Sequence, residues 1–213
     1  MKEKNYLFGV DVGGTTIKLG LFTKDGKLLD QWQIDTNTDH QGAGLLPDIA
    51  ETVTGKMAEK RLRVDGVAGI GLGVPGAVKD SSYVAPCANL NQWGGFNAAD
   101  ALSKLCGLPV RVINDANAAG LGEFWQGGAK GMENAVFITL GTGVGSSVIA
   151  DGRLIVGAHG AGGEIGHMKI NPAETIACGC GGFGCLEQYA SATGMVRAAN
   201  DLLAGTNGAS ALR

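Results

Sequence analysis

The sequence lacks any long apolar run. No window contains the roughly 18 consecutive apolar residues that a membrane-spanning helix requires, so we expect no membrane partner. The N-terminal residues Met1-Lys2-Glu3-Lys4 are charged and lead into a strand-like segment, without the apolar stretch and cleavage site of a signal peptide. These absences predict a cytoplasmic protein.

Charge is scarce as well. Charged residues make up 17% of the chain and the formal net charge is -3. Proteins that bind nucleic acid carry a basic surface that neutralises phosphates, so we expect no nucleic-acid partner. A hydrophobic share of 45% also excludes a disordered chain, because such chains have too few apolar residues to form a core.

Proline is rare, and cysteine occurs in an odd number. The 5 prolines and the absence of a Gly-X-Y period exclude collagen-like and proline-rich chains. The 5 cysteines do not suit a disulfide framework, and three of them lie close together at Cys178, Cys180 and Cys185. Glycine, by contrast, accounts for 37 of the 213 residues, more than twice the usual share of about 7%. Many backbone positions must therefore turn tightly or approach another group closely.

Hydrophobic periodicity in the first part of the chain predicts a mixed α/β fold. Short apolar runs predict strands, and apolar residues at helical spacing, such as Ile49, Val53 and Met57, predict helices. We expect strands at 6–12, 16–22, 27–34, 67–74 and 110–113, and helices at 44–61, 98–106 and 114–124. Strands that alternate with helices in this way are typical of a sheet covered by helices.

The second part repeats this layout. We expect strands at 135–140, 144–150 and 153–156, and a last helix at 190–204. The glycine-rich stretch at 127–131 indicates a boundary between these two parts of the chain. We therefore predict two related lobes, residues 1–125 and residues 126–213, each with a glycine- and threonine-rich hairpin.

The two hairpins are candidate phosphate-binding loops. They read Asp11-Val12-Gly13-Gly14-Thr15-Thr16 and Leu140-Gly141-Thr142-Gly143-Val144-Gly145. Glycine lets backbone amides close on an anion, threonine adds a hydroxyl donor, and a carboxylate such as Asp11 can hold Mg²⁺ beside phosphate. Neither hairpin is a P-loop or a dinucleotide-binding fingerprint. The alternative is a pair of glycine-rich turns without a ligand.

A carboxylate lies at a predicted strand-to-helix junction, in Asn114-Asp115-Ala116-Asn117. Asp115 could cap the helix by accepting backbone N–H bonds. It could equally accept the proton of an attacking hydroxyl, with Asn114 orienting the same substrate. The spacing alone leaves both interpretations open.

The three clustered cysteines form a C-x-C-x4-C pattern with His167 upstream. Three thiolates and one imidazole make a closed tetrahedral set that suits structural Zn²⁺. Reduced thiols without a metal are the alternative, and iron is a less suitable ion. Glu164 and Glu187 flank this segment, where a metal would hold their carboxylates in place for a polyol; each could also be an ordinary surface glutamate.

Taken together, these segments resemble the ROK family (repressors, open reading frames and kinases), and within it they are most similar to bacterial glucokinases. The matching motifs are Asp11-x-Gly13-Gly14-Thr15, Gly73-x-Pro75-Gly76, Asn89-Leu90, Asn114-Asp115-Ala116-Asn117, Leu140-Gly141-Thr142-Gly143-x-Gly145, Gly163-Glu164-x-Gly166-His167 and Cys178-x-Cys180-Gly181-x-x-Gly184-Cys185-x-Glu187. The resemblance implies the actin-like ATPase (ribonuclease H-like) fold, an α/β fold with two lobes of mixed sheets around a cleft.

The resemblance also implies roles for individual residues. Asp115 would be the catalytic base. The sugar would contact Gly76, Asn89, Asn114, Asp115, Glu164, His167 and Glu187. ATP, with Mg²⁺, would contact Asp11, Gly13, Gly14, Thr15, Thr16, Lys18, Gly141, Thr142, Gly143 and Gly145. Structural Zn²⁺ would bind His167, Cys178, Cys180 and Cys185.

The implied activity is transfer of the γ-phosphoryl group of ATP to O6 of glucose. Alternatives are a kinase for N-acetylmannosamine, N-acetylglucosamine or fructose, or a non-catalytic sugar-binding fragment. The family's repressors carry a helix-turn-helix ahead of the first hairpin, which we do not expect here. Because family members continue past residue 213, we expect a C-terminally truncated chain with an incomplete second lobe, and a homodimer at full length.

Overall fold

A computed structural model describes residues 4–87, 90–205 and 211 of the chain. The predicted strand and helix order is confirmed, with changes at several boundaries. Within the described residues, no helix combines the length and apolar character needed to cross a bilayer.

The first sheet, here called the N-terminal sheet, has five strands in the order β3-β2-β1-β4-β8. Its strands are β1 Tyr6–Val12, β2 Thr16–Thr23, β3 Leu28–Asp35, β4 Val67–Val74 and β8 Val110–Asn114. β1, β2 and β3 are joined by hairpins and run antiparallel, whereas β4 and β8 run parallel to β1. Parallel neighbours need a crossover, and here helices supply it. The carboxyl ends of β1, β4 and β8 therefore meet at one edge.

Helices α2 (Leu45–Glu59) and α3 (Ala98–Cys106) pack against each other beside this sheet, and a short helical turn, α1 (Asp39–Gly42), precedes them. The predicted helical apolar stripe of Ile49, Val53 and Met57 is buried in the main hydrophobic core, together with strand residues such as Phe8. This core positions the strand ends that face the site.

A small sheet between β4 and α3 was not predicted. It consists of β5 Val78–Lys79, β6 Tyr83–Val84 and β7 Phe96–Asn97, all antiparallel. Each strand has only two residues, too few to produce the alternation that marks a strand in a sequence.

The C-terminal sheet has the order β11-β10-β9, formed by β9 Ala135–Leu140, β10 Val144–Ala150 and β11 Arg153–Leu154. Helix α4 (Asp115–Gln126) packs on one face of it and also contacts β4 and β8. On strand β9, the alternate residues Val136, Ile138 and Leu140 are 51–63% exposed. The last strand is shorter than the predicted 153–156.

The predicted last helix at 190–204 is confirmed, with its start two residues later and a short additional helix before it. A 3-10 turn at Ile165–His167 is followed by α5 (Glu187–Ala190) and α6 (Ala192–Ala204). Ser191 is extended between the two, with φ -76° and ψ 164°, and its hydroxyl accepts the N–H of Gly194. Serine favours this N-cap geometry because its oxygen replaces a missing intrahelical acceptor.

All tryptophans lie in the first 125 residues. Trp93 is buried in the core, and Trp32 donates its indole N–H to Thr52. Trp125, near the end of α4, lies against Gly26 in the β2–β3 turn, where any side chain on residue 26 would collide with the indole.

Candidate functional site

One large cleft, of about 940 Å³, lies between the carboxyl edge of the N-terminal sheet and the β9–β10 hairpin. It collects predicted residues from distant parts of the sequence. Those lining it are Asp11, Gly13, Gly14, Gly76, Asn114, Asp115, Gly141, Thr142, Gly143, Gly145, Glu164, His167, Cys180 and Glu187. Thr15, Thr16 and Lys18 lie outside this lining, and Asn89 falls outside the described residues.

The first hairpin brings Asp11 to the cleft. Asp11 stands opposite Lys18 on β2 and opposite Gly73 on β4. The turn closes with Gly13 N–H donating to the Thr16 carbonyl at 3.1 Å. A side chain at Gly13 would collide with that carbonyl, so glycine is needed for this closure.

The second hairpin closes in a similar way. Gly141 N–H donates to the Gly143 carbonyl at 3.0 Å, between β9 and β10. Gly145 lies close to Ala116 at the start of α4, so the hairpin lies beside the strand-to-helix junction that carries Asp115. The two hairpins thus face one cleft from opposite sheets.

The structure identifies the helix cap as Asn114. Its Oδ1 accepts the N–H of Asn117 at 3.0 Å, and its Nδ2 donates to the Gly76 carbonyl at 3.1 Å. Asn114 is also only 6% exposed, and each polar atom of its side chain has one partner within the protein. Gly76 has φ 87°, the left-handed region that glycine tolerates.

Asp115 is therefore not needed as the cap. Its Oδ1 accepts the N–H of Ala116 at 2.8 Å, and the carboxylate remains accessible at the floor of the cleft. Crowding by surrounding protein atoms raises its pKa, and the nearby Asp11 carboxylate raises it further. A carboxylate with a raised pKa in a cleft is a candidate for proton transfer.

Three further polar side chains form the opposite wall. Glu164 precedes the 3-10 turn that carries His167, and Glu187 begins α5. Burial raises the pKa of Glu164, the carboxylates of Asp115 and Glu187 add to that rise, and His167 opposes it. Among the described residues, no hydrogen bond to the Glu164 carboxylate is found.

The predicted metal ligands come together beside this wall. The ligand atoms of His167, Cys178, Cys180 and Cys185 all lie within 4.8 Å of one another. The Nδ1 of His167 is 3.7 Å from the Sγ of Cys178, and the Sγ atoms of Cys180 and Cys185 are also 3.7 Å apart. Zinc–sulfur bonds of about 2.3 Å at tetrahedral angles place sulfur atoms about 3.8 Å apart. The donor set therefore fits a divalent metal.

Sequence reasoning missed a cation at this cluster. Lys169 Nζ lies 2.8 Å from the Sγ of Cys185, and the two residues form an isolated antiparallel bridge. Gly182 leaves room for the ammonium, since a side chain there would collide with it. No motif marks Lys169, because its contact depends on the path of the loop.

Comparisons with known proteins show similarity to sugar kinases in sequence and in fold. The chain is 42% identical over 202 residues to a glucokinase of Halalkalibacterium halodurans, covering 94% of this chain and 61% of that protein. It is 33% identical to an N-acetylmannosamine kinase of Escherichia fergusonii, covering 93% of this chain and 65% of that protein. The chain thus spans about three fifths of the length of these relatives.

Among solved structures, the chain resembles a ROK family glucokinase from Streptomyces griseus in complex with glucose and AMPPNP. The TM-score is 0.76 at 34% identity, covering 94% of this chain and 62% of that one. The predicted α/β, actin-like ATPase fold is confirmed. A profile of the ROK family matches residues 7–211, and the chain therefore belongs to the ROK family.

Proposed function

We propose that this chain provides the sugar site and the phosphate hairpins of an ATP-dependent hexose kinase that phosphorylates glucose at O6. The observation that carries the proposal is the single cleft in which both hairpins face Asp115 and the carboxylates of Glu164 and Glu187. Phosphoryl transfer needs positioning and charge stabilisation more than covalent chemistry, and this cleft offers both.

Asp115 is the proposed base. Its accessible carboxylate takes the proton of the sugar 6-hydroxyl while that oxygen bonds the γ-phosphorus of ATP. The bond from the γ-phosphorus to the bridging oxygen breaks, and ADP leaves. Because Asn114 already caps α4, Asp115 can accept this proton without loss of the cap.

The glycine hairpins are proposed to hold the phosphates through backbone amides, with Asp11 holding Mg²⁺. A carboxylate is a preferred Mg²⁺ ligand, and the bound ion would neutralise charge on the phosphate oxygens. The support for ATP contacts is less direct for Thr15, Thr16 and Lys18, since these residues do not line the cleft. Their predicted ATP contacts remain part of the proposal.

Glu164, His167 and Glu187 are proposed to contact the sugar hydroxyls, together with Gly76, Asn114 and Asn89. Glu164 supports this best, because its half-buried carboxylate has no hydrogen-bond donor among the described residues. Sugar hydroxyls would supply such donors. With Nδ1 of His167 directed at the cysteines, its Nε2 is left for the sugar, and Zn²⁺ is the proposed metal in the cluster.

The test is thermal unfolding of the purified chain with and without glucose, N-acetylmannosamine, N-acetylglucosamine and fructose. A sugar at 100 times its Kd stabilises the folded state by about 2.7 kcal/mol, which raises Tm by about 5–10 °C. We expect this rise with glucose, and its loss in Glu164→Gln. Asp151→Asn, in the β10–β11 turn, is the matched control.

Each alternative has its own outcome. A rise only with an acetylated amino sugar or with fructose would reassign the substrate. A rise with glucose but no glucose 6-phosphate formed with ATP would favour the non-catalytic sugar-binding fragment. A cooperative melt indifferent to every sugar would contradict the sugar site. Cytoplasmic location and dimerisation at full length remain part of the kinase proposal.

A further inference from the structure

The segment Glu187–Thr193, here called the clamp segment, holds the β9–β10 hairpin from outside the sheet. Ala192 N–H donates to the Gly141 carbonyl at 2.9 Å. The hydroxyl of Thr193 donates to the Thr142 carbonyl at 3.0 Å. Two successive carbonyls of the hairpin are thereby fixed by residues about fifty positions away in the sequence.

A third contact comes from Glu187. Its Oε2 accepts the N–H of Val144 at 2.9 Å. Gly143 permits the approach, because a side chain at that position would collide with this oxygen. A carboxylate that accepts a backbone N–H makes a charge-assisted bond, stronger than a neutral one. The clamp segment thus holds the hairpin after β9, at Gly141 and Thr142, and at the start of β10, at Val144.

The clamp segment begins immediately after the metal cluster. Only Leu186 separates Cys185 from Glu187, and Gln188 is bonded to Cys185 in both directions, at 3.0 and 3.1 Å. The other carboxylate oxygen of Glu187 lies 3.8 Å from the Sγ of Cys178. A metal that fixes the cysteines would therefore fix the start of the clamp segment.

We infer that Glu187 and Thr193 are positioning residues for the second hairpin, and that a metal bound to the cysteine cluster orders this hairpin through them. The metal site then acts on the phosphate-binding side of the cleft as well as on the sugar side. The role of the hairpin in holding phosphate rests on the proposed function, but the linkage between the metal cluster and the order of the hairpin does not.

The experiment is amide hydrogen exchange, measured by NMR on the zinc-loaded protein without sugar or nucleotide. Thr193→Val removes the hydroxyl and keeps the shape of the side chain. A hydrogen bond of 0.5–1.5 kcal/mol corresponds to about two- to tenfold faster exchange, which we expect at the amides of Val144 and Gly145, which are bonded to Glu187 and placed in the β9–β10 ladder, respectively. Thr193→Ser should restore the slower exchange, because it keeps the hydroxyl.

Thr54→Val is the matched control, since the Thr54 hydroxyl also donates to a carbonyl, that of Ala50, in the distant helix α2. It should leave the hairpin unchanged. Zinc content should be equal in all these variants, because none of them alters a ligand. Removal of zinc with a chelator should speed exchange at the same hairpin amides while β10 beyond Ser147 keeps its protection.

Unchanged hairpin exchange in Thr193→Val, or failure of Thr193→Ser to restore it, would overturn the positioning role. Unchanged exchange after zinc removal, uniform loss of protection across β10, or a protein that retains no zinc would overturn the metal linkage. If exchange responds as expected but no sugar stabilises the chain, the linkage stands and the proposed function fails. The two proposals are thus tested separately.

Discussion

The adjacent residues Asn114 and Asp115 have different roles in the structure. Asn114 is buried and caps α4 while it donates to Gly76, and Asp115 lies in the cleft with one backbone bond. The sequence indicates Asp115 as a possible cap, whereas the structure has the cap one residue earlier, at asparagine, which is almost equally favoured there. Backbone geometry decides between them, and it leaves the carboxylate on the accessible side.

Asp115→Asn should strongly reduce phosphoryl transfer and preserve sugar binding. General base catalysis contributes about 10²–10⁴ in rate, and an amide cannot accept the proton. We expect turnover to fall by that factor in a coupled assay, while the sugar-induced rise in Tm persists. Asp151→Asn, far from the cleft, should keep full turnover; equal rates for the two variants would exclude Asp115 as the base.

The raised pKa of Asp115 has a signed consequence for pH. As the proposed base, Asp115 would act only when deprotonated, so the acid limb of kcat/KM should lie above the ordinary aspartate value of about 3.9. The Asp115 carboxyl group binds its proton more tightly in the folded state than in the unfolded state, so protonation favours folding at low pH. That contribution to the free energy of unfolding is lost as pH rises through the pKa of the folded state. Asp115→Asn should therefore raise Tm at neutral pH more than at pH values below the ordinary one. The reverse pattern would contradict the assigned direction.

Lys169 should strengthen metal binding. Three thiolates around a divalent ion leave an excess negative charge, which the nearby ammonium offsets. Lys169→Met should weaken zinc affinity about tenfold, the usual effect of losing an outer partner of a ligand, in competition with a chromophoric chelator. Lys169→Arg keeps the charge and should stay close to wild type. Lys130→Met, on a lysine that contacts Gln126 instead, should have no effect; equal loss in both Met variants would argue against the role of Lys169.

At the scale of elements, helix α4 packs against both sheets, and a glycine allows its close contact with the C-terminal sheet. Gly120 faces β10, where a methyl group would collide with the hydroxyl of Ser147 and crowd Phe137. Gly122, two residues later in the same helix, has open space around it. The same residue type therefore serves packing at one position and merely lowers helix propensity at the other.

This difference predicts opposite effects of one substitution. Gly120→Ala should lower the free energy of unfolding by about 1–3 kcal/mol through overpacking. Gly122→Ala should raise it by about 0.5–1 kcal/mol, because alanine loses less conformational entropy in a helix. Urea denaturation of both variants measures this. Similar changes in the two would show that α4 does not press on β10 at Gly120.

Elements and site residues differ in how far the sequence predicts them. Asp11, Asp115 and the cysteines belong to short local motifs, so their positions in the cleft and the cluster could be predicted. The short helix α5, the two-residue strands β5–β7 and the contact of Thr193 with Thr142 could not, because each depends on residues that only tertiary packing brings together. The Thr15, Thr16 and Lys18 contacts and the lobe boundary after residue 125 stay predictions.

At the scale of the whole molecule, the two sheets differ in how well they are enclosed. β1 lies between β2 and β4 with Phe8 and Val10 buried, whereas β9 lies at the edge of its sheet among the described strands, with alternate residues exposed. Slow amide exchange reports the stability of the surrounding structure.

We therefore expect the amides of β1 and β4 to exchange most slowly and to require global unfolding, and those of β9 to open at lower free energy. Hydrogen exchange with mass spectrometry measures both sheets in one experiment. Equal protection of β1 and β9 would indicate that the two sheets unfold as one cooperative unit.

The placement of all three tryptophans before residue 126 has an optical consequence. Tryptophan emission, excited at a wavelength that tyrosine does not absorb, reports on the N-terminal sheet, its helices and the packing of α4 against the β2–β3 turn, and neither the cysteine segment nor α6 contains a tryptophan. Fluorescence titrations with zinc could therefore remain flat while the metal binds. Replacing Phe183, which is 51% exposed on the loop between Cys180 and Cys185, by tryptophan would give that region its own signal.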